Sequence, residues 1–434
     1  MVRWSWVVQN CQPLAMFSRL AIVIAAVLLT HASPIRAADV PPAATNSREV
    51  TLAEAIALAL RTSPDLAAAA RELNIAHAEI ERANYISQFN PYLDSLGDYR
   101  LRAGTSNSQD WRAGLAQELE IFGQPTARRK ASQLGYERTR LEVENQARLL
   151  SAAVKYTFYG ALRVRQQVEL LSEVNDLDRR LLEAAGSRLE AGEIGQIEAN
   201  LARVRYGQGK WGLIQGRQRY RLERSSLGRL LGGAAGVEPT PSGAIEPGKE
   251  MANLVKLLDL ARGKRPDLKA AEVEVARLAA ESELNRKLAL PNPTVGVFGG
   301  HELNAERFVG LSIAIPLPFF NRRQAEANAL AGRTAQARER RRATELNVER
   351  EVRDALSNYR TAQAVLEVNN EDVVAPASES LQLLEAAFQA GKMDLLSLSV
   401  AERQAVEARM GYIDAWYGLV SAQVALELAA GGSK

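Results

Sequence analysis

Residues 322–390 read RRQAEANALAGRTAQARERRRATELNVEREVRDALSNYRTAQAVLEVNNEDVVAPASESLQLLEAAFQA, a run of helix-forming composition with one proline, Pro376. At 1.5 Å per residue a single helix of this length spans roughly 100 Å, more than one globular core can contain. Leu346, Val352, Leu356, Tyr359, Leu366, Leu381, Leu384 and Phe388 recur along it at three- and four-residue steps, with Arg, Glu, Gln and Ala between them. One narrow stripe is left to bury beside a wide polar surface, which is how helices pack against helices over long distances. A solvated coiled coil would satisfy this stretch alone, so the rest of the chain decides its meaning.

Upstream, Ile315-Pro316-Leu317-Pro318-Phe319-Phe320-Asn321 leads into the helix from two short segments of period two, 294–301 and 307–315. Val295, Val297, Val309, Leu311, Ile313 and Ile315 share one face of that hairpin, while Gly296, Gly310, Ser312 and Ala314 make the other small and neutral. The same change of period occurs earlier. From Tyr92 to Arg102, Leu93, Tyr99 and Leu101 alternate with Asp94, Asp98 and Arg100, and Trp111, Ala113, Leu115, Leu119 and Ile121 alternate with Arg112, Glu118 and Glu120. These read as hairpin strands of about ten residues each, with Gln117 interrupting the apolar face.

The chain repeats itself. Pro266 follows Pro64 by 202 positions and Pro293 follows Pro91 by the same 202, in Arg265-Pro266-Asp267-Leu268 against Ser63-Pro64-Asp65-Leu66 and Asn292-Pro293 against Asn90-Pro91. The expected plan is a first repeat over 51–231, with a hairpin at 92–121 and long helices at 125–191 and 196–231. An irregular connector at 232–250 precedes a second repeat over 251–430, with a hairpin at 294–316 and long helices at 322–390 and 394–430. Thr51 and Glu54 stand in capping-box spacing at the head of the first short helix. The fold class is mainly α with a small β part.

At the N-terminus, Leu20 to Leu29 is an apolar run flanked by Arg19 and by small residues near Ala37. It has the order of a secretory signal over 1–37 and is too short to span a bilayer, so it is not read as a membrane anchor. Met16 would open a compact signal by itself, and a Pro/Ala tether over 38–50 follows. The only cysteine, Cys11, precedes the apolar run, so the mature chain has no disulfide or thiolate. A formal charge of +3, from 54 Lys and Arg against 51 Asp and Glu, calls for no nucleic-acid partner.

Reactive chemistry is sparse. His77 and His301 are the only histidines after the signal, far apart in sequence, and neither stands in metal-ligand spacing with carboxylates. Gly296, Gly299 and Gly300 precede no helix N-terminus and do not form a phosphate cradle. No Walker motif or nucleophile elbow is present, so neither catalysis nor a cofactor is expected. The basic run Arg338 to Arg342 reads as a solvated helix face. A periplasmic adaptor or a coiled-coil scaffold would account for the helices, but not for duplicated helices with paired hairpins.

Strands of this length and alternation match transmembrane β-strands, yet four cannot close a barrel, so chains must pool them. In its duplicated plan, its Asn-Pro pairs before each hairpin, the proline-rich lead into the long helix, Pro376 within it and Gly391 at its tip, the chain resembles the TolC family of outer-membrane efflux ducts. The proline-rich segment before Asn321-Arg322 is similar to the branch serving cobalt, zinc and cadmium efflux. The resemblance implies a homotrimer in outer-membrane lipid with a twelve-stranded barrel and a periplasmic helical tunnel. It further implies a passive duct that docks to a periplasmic adaptor and an inner-membrane pump and exports heavy-metal cations, with drugs or other small molecules as the alternative.

The helix tips, Gly192-Glu193-Ile194-Gly195 and Gly391-Lys392-Met393-Asp394, are the expected adaptor-docking site. Glycine there serves as a left-handed helix stop and Asp394 as an N-cap. The resemblance makes Glu198 a candidate for a pore constriction. It also marks departures, with Phe388 where a tyrosine is familiar, Met393 where an arginine is, and Ser397 and Val400 at further acidic positions. At Pro376 the lost hydrogen bond predicts a kink.

Overall fold

The computed structural model describes residues 48–100, 108–233, 238–243, 253–302, 306–369 and 371–432. The signal reading over 1–37 and most of the tether lie outside them. In chain order the elements are β1 (Arg48–Val50), α1 (Leu52–Thr62), α2 (Pro64–Ala83), β2 (Tyr92–Arg100), β3 (Ser108–Glu118), α3 (Gln124–Glu190) and α4 (Gln196–Leu230). The second repeat follows with β4 (Pro239–Pro241), α5 (Leu254–Lys264), α6 (Pro266–Leu288), β5 (Thr294–Glu302), β6 (Glu306–Ala314), α7 (Gln324–Val368), α8 (Glu371–Gln389) and α9 (Leu395–Ala429).

Local chemistry starts these helices where the sequence indicates. The Thr51 hydroxyl accepts from the Glu54 N–H at 3.4 Å, and Glu54 Oε2 accepts from the Thr51 N–H at 2.9 Å, closing the capping box of α1. Ser63 caps α2 through Leu66 N–H, and Pro64 and Pro266 occupy first-turn positions, where a missing N–H costs nothing. Helix α3 then runs unbroken for 67 residues, roughly 100 Å.

The strands form one antiparallel sheet in the order β2-β3-β5-β6. Its register aligns Leu93, Leu115, Val297 and Leu311 in one cross-strand row. That face is bare: Leu93 is 76 % exposed, Leu311 81 % and Val309 90 %. The next row, Asp94, Gly114, Phe298 and Gly310, lies on the opposite face. This second face is less empty than its small residues suggest. The Phe298 ring lies over Gly310, where a Cβ would come 2.5 Å from it, and the Arg112 guanidinium stacks 3.9 Å from the Phe298 centroid. Arg100 pairs with Asp110 at 3.0 Å and Glu302 at 3.3 Å on the same face. Gln117, out of place in an apolar stripe, ties the strand end to the preceding loop by donating to Phe89 O at 2.8 Å and Ser87 Oγ at 3.1 Å.

Below the sheet, α2, α3, α6 and α7 lie side by side in that order, repeating the order of the strands above them. Farther down, α3 pairs with α4, and α9 packs against both α7 and α3. The two short helices perform the same task in each repeat. Ala55 and Ala59 of α1 bury against Val154, Phe158 and Leu227, while Leu257 and Ala261 of α5 bury against Val352, Leu356, Tyr359 and Leu426. Ala59 and Ala261 are fully buried, because only a methyl lets the crossing helix approach so closely.

Three expectations need correction. The helix expected over 322–390 is two, α7 and α8. Asn369 ends α7 by donating Nδ2 to the Val365 carbonyl at 2.9 Å, a side-chain bond that competes with helix continuation. The interruption therefore lies ahead of Pro376, which sits inside α8. The tether and the connector, read as irregular, each contribute a strand: β1 and β4 pair in parallel, and Val50, 4 % exposed, anchors them to the core.

A charged cluster locks the two repeats together at mid-height. Arg265 grips Asp267 through two bonds of 3.0 and 2.6 Å, reaches Glu351 of α7 at 2.6 Å and donates to the Ala429 carbonyl at 3.2 Å. Arg148 of α3 donates to the neighbouring Leu428 carbonyl at 2.5 Å. Both guanidinium groups thus satisfy the last turn of α9, where the helix dipole is negative. Burial alone would raise the Asp267 carboxyl, but the Arg265 fork outweighs it and holds Asp267 below the ordinary aspartate value. A depressed carboxylate stabilises the fold above its unfolded value and loses that contribution as pH falls. Asp267→Asn should lower stability by about 1.5–3 kcal/mol at pH 7. Acid titration of the folded state should close the gap between the two proteins below about pH 4, and a gap that stays constant as the pH is lowered further, to about 2, would refute the assignment.

Candidate functional site at the helix tips

Both helical hairpins end in the same turn. Gly192 and Gly391 adopt the left-handed region at φ +74° and +71°. The N–H after each glycine reaches back five residues, Glu193 to Arg188 O at 2.8 Å and Lys392 to Ala387 O at 2.9 Å. This is a Schellman closure, which a β-carbon would strain at the glycine. The return helices start differently. Asp394 accepts from Ser397 N–H at 2.9 Å and Ser397 Oγ at 2.7 Å, and these bonds hold its carboxyl below the ordinary range. Gly195 has no side chain to cap with, and Glu198 instead reaches back to its N–H at 3.1 Å.

The expected docking residues divide into two sets. Ile194 and Met393 turn inward and pack on a core of Leu177, Leu181, Ala185, Ala202, Phe388, Leu395 and Leu398. Gly192, Glu193, Gly391, Lys392 and Asp394 stay exposed, and Glu198 is half-buried. The two turns are joined by a residue that sequence reading missed. Arg188 pairs with Glu193 at 3.2 Å, donates to the Phe388 carbonyl at 3.4 Å and lies 5.3 Å over the Phe388 ring. Phe388 thus meets Arg188 of the other hairpin through both its ring and its backbone carbonyl. Only the spacing of Arg188 from Gly192 hinted at this, because an arginine in a last helical turn is ordinary.

About three turns from Arg188 lies a second cluster. Arg205 of α4 contacts Asp178 of α3 at 2.5 Å and Glu402 of α9, and both carboxylates are almost fully buried. Burial pushes the Asp178 carboxyl above its ordinary value even though Arg205 pulls the other way. Two acids share one guanidinium, so this staple of three helices is rich in negative charge. Among the described residues no group of three or more His, Cys, Asp and Glu could hold a metal ion, and no helix is long and apolar enough to cross a membrane.

The chain thus builds a helical wall continued from an amphipathic sheet twice over. The chain belongs to the outer membrane efflux protein family, whose model matches residues 55–233 and 257–432. It is an outer-membrane channel-family protein with a periplasmic helical extension. It is 25 % identical over 368 residues to the cobalt-zinc-cadmium resistance protein CzcC of Cupriavidus metallidurans, covering 84 % of this chain and 86 % of that one. It is likewise 25 % identical over 407 residues to the pyoverdine export outer membrane protein OpmQ of Pseudomonas putida, covering 88 % and 86 %. A crystal structure of CusC superposes with a TM-score of 0.73 at 20 % identity, covering 89 % of this chain and 94 % of that one.

The tip staple makes a graded prediction. Arg205→Met leaves two buried carboxylates without a counter-charge and should cost about 3–5 kcal/mol, whereas Asp178→Asn leaves a one-to-one pair and should cost under about 1 kcal/mol. Thermal unfolding, with hydrogen exchange followed over 177–185, should rank them in that order, and equal effects would mean that the cluster does not hold the tip.

Proposed function

We propose that this chain forms a homotrimeric exit duct, passive in itself, that completes a tripartite efflux system with a periplasmic adaptor and an inner-membrane pump. The observation that carries the reading is the shared order of strands and helices. β2-β3-β5-β6 and α2-α3-α6-α7 are open at the same two ends, so a neighbouring copy can extend both layers at once. Three copies of the four-stranded sheet give twelve strands, an even number as in bacterial outer-membrane barrels. The bare Leu93, Val309 and Leu311 face then meets lipid, while the face of Asp94, Arg100, Asp110 and Arg112 meets water.

Adaptor docking belongs to the exposed tip residues Glu193, Lys392 and Asp394, with Glu198 at the mouth of the tunnel. Heavy-metal cations are the proposed cargo, on the similarity to CzcC. OpmQ, at the same identity, favours a second reading, in which the cargo is a small organic molecule. No chemistry is assigned to the duct itself.

Deleting the gene should sensitise cells to cobalt, zinc or cadmium, and expression of this chain should restore resistance. Loss of tolerance to organic compounds with unchanged metal tolerance would favour the second reading. Within a restored system, reversing charge at both Glu193 and Lys392 should weaken adaptor crosslinking while trimers persist, and undiminished crosslinking would remove these residues from the docking site. In planar bilayers, Glu198→Ala trimers should lose cation selectivity, and unchanged selectivity would move Glu198 out of the pore.

A further inference from the structure

Helix α7 carries a glycine that nothing in its own chain explains. Gly332 stands well inside the helix, exposed, and a Cβ built on it would meet nothing within 4 Å. An interior helix glycine costs about 1 kcal/mol relative to alanine. On the same outward face lie Ala335, Glu339 and Ala343, opposite the Leu330, Thr334 and Ala337 side that packs inward. Small residues alone say little, but the other free end of the wall supplies a matching surface. On α2, Ala69 and Ala83 mark the buried side, and the face turned away from α3 presents Arg71, Ile75 and Ala78, with Ile75 66 % exposed.

The two surfaces stand at one height. His77 meets the Tyr136 ring at 6.3 Å, a Cβ on Gly135 would lie 3.7 Å from Arg277, and Leu278 packs with Leu330. Walking across the wall through these contacts brings the row of Ile75 to the row of Gly332. Helix α2 climbs toward the sheet and α7 descends from it, so the helices meet antiparallel. Arg71, one turn below Ile75, then faces Glu339, two turns below Gly332. Among the described residues neither Arg71 nor Glu339 has an ion-pair partner.

Resting on the trimeric reading, we infer that the seam between protomers is set by Ile75 of one copy seated over Gly332 of the next, with Arg71 paired to Glu339 beside it. The occupant of both faces is a second copy of this chain. Charge and shape match across them, and the sheet above has its free edges at the same two ends. The glycine serves to admit an isoleucine, and the ion pair fixes the vertical register against slippage by a turn.

The test uses the full-length chain in outer membranes, in a Cys11→Ser background so that no other thiol is present. Ile75→Cys combined with Gly332→Cys should give covalent trimers on oxidation with copper phenanthroline, and either substitution alone should give none. Separately, Arg71→Glu and Glu339→Arg should each lower the fraction of trimer surviving mild heating by at least about twofold, and the double reversal should regain it. Trimers that persist on native gels yet never crosslink would overturn this register and leave the trimeric reading intact. Crosslinks to another protein in place of a second copy would overturn the choice of occupant. A wild-type chain that never trimerises would overturn both readings.

Discussion

The constraint on which the rest depends is the pair of open sheet edges. Strands β2 and β6 each pair on one side only, so each presents a row of backbone N–H and C=O groups beside a bare apolar face. In water such an edge invites aggregation, and in lipid each unsatisfied group costs several kcal/mol. A four-stranded fragment with this face is unstable in either solvent until its edges are matched. The helices cannot solve that problem, but they can hold the strands where copies would meet. Their order copies the strand order, and Gln124 of α3 donates to Asn292, which in turn donates to Glu118 of β3, tying helix to sheet.

The wall itself is held mainly by narrow stripes, and polar clusters add specificity where stripes alone would allow sliding. A helix of alanine and scattered leucine can shift by a turn against its neighbour at little loss of buried area. Arg265 with Asp267 and Glu351, Arg138 with Glu274, and Arg205 with Asp178 and Glu402 each join residues from different helices at one height. A slip of one turn would separate Arg265 from Glu351, Arg138 from Glu274, and Arg205 from Asp178 or Glu402, leaving the buried charges among them uncompensated. The hydrophobic stripes decide that helices pack, and the ion pairs decide at which level.

Much of this was legible because duplication prints landmarks. Ser63-Pro64 and Arg265-Pro266 mark helix starts, the change of period at Tyr92 and Thr294 marks the strands, and Gly192 and Gly391 mark the tips. Each reflects local chemistry: a fixed proline φ, an alternation of faces, a left-handed turn. What escaped was long-range. Arg188 and Arg205 look like ordinary solvated arginines in sequence, because nothing local reveals that Phe388 or Glu402 will arrive from the other repeat. The strands β1 and β4 escaped for the same reason: three residues carry no periodicity, and only their pairing across more than 180 positions makes them strands. Phe298 escaped because the glycines beside it suggested an empty face, when they are the space its ring fills.

The two repeats share landmarks but not mechanics, and the difference lies in one short stretch. Helix α3 reaches its tip unbroken, whereas its counterpart is divided at Asn369, ahead of a proline that removes a further hydrogen bond from α8. Proline alone would bend the helix at its own position. Here Asn369 closes the preceding turn first, so the discontinuity sits at the end of the well-packed segment around Val352, Leu356 and Tyr359. Below that point α8 packs chiefly on α9, and its described link to the first hairpin runs through Phe388 and Arg188. The second tip therefore meets the first hairpin through Leu395, Leu398 and Glu402 of α9 and through Phe388 and Arg188, while the helix that leads down to it from the wall is interrupted. The sequence spends its helix-breaking residues where the wall has ended and the tip begins.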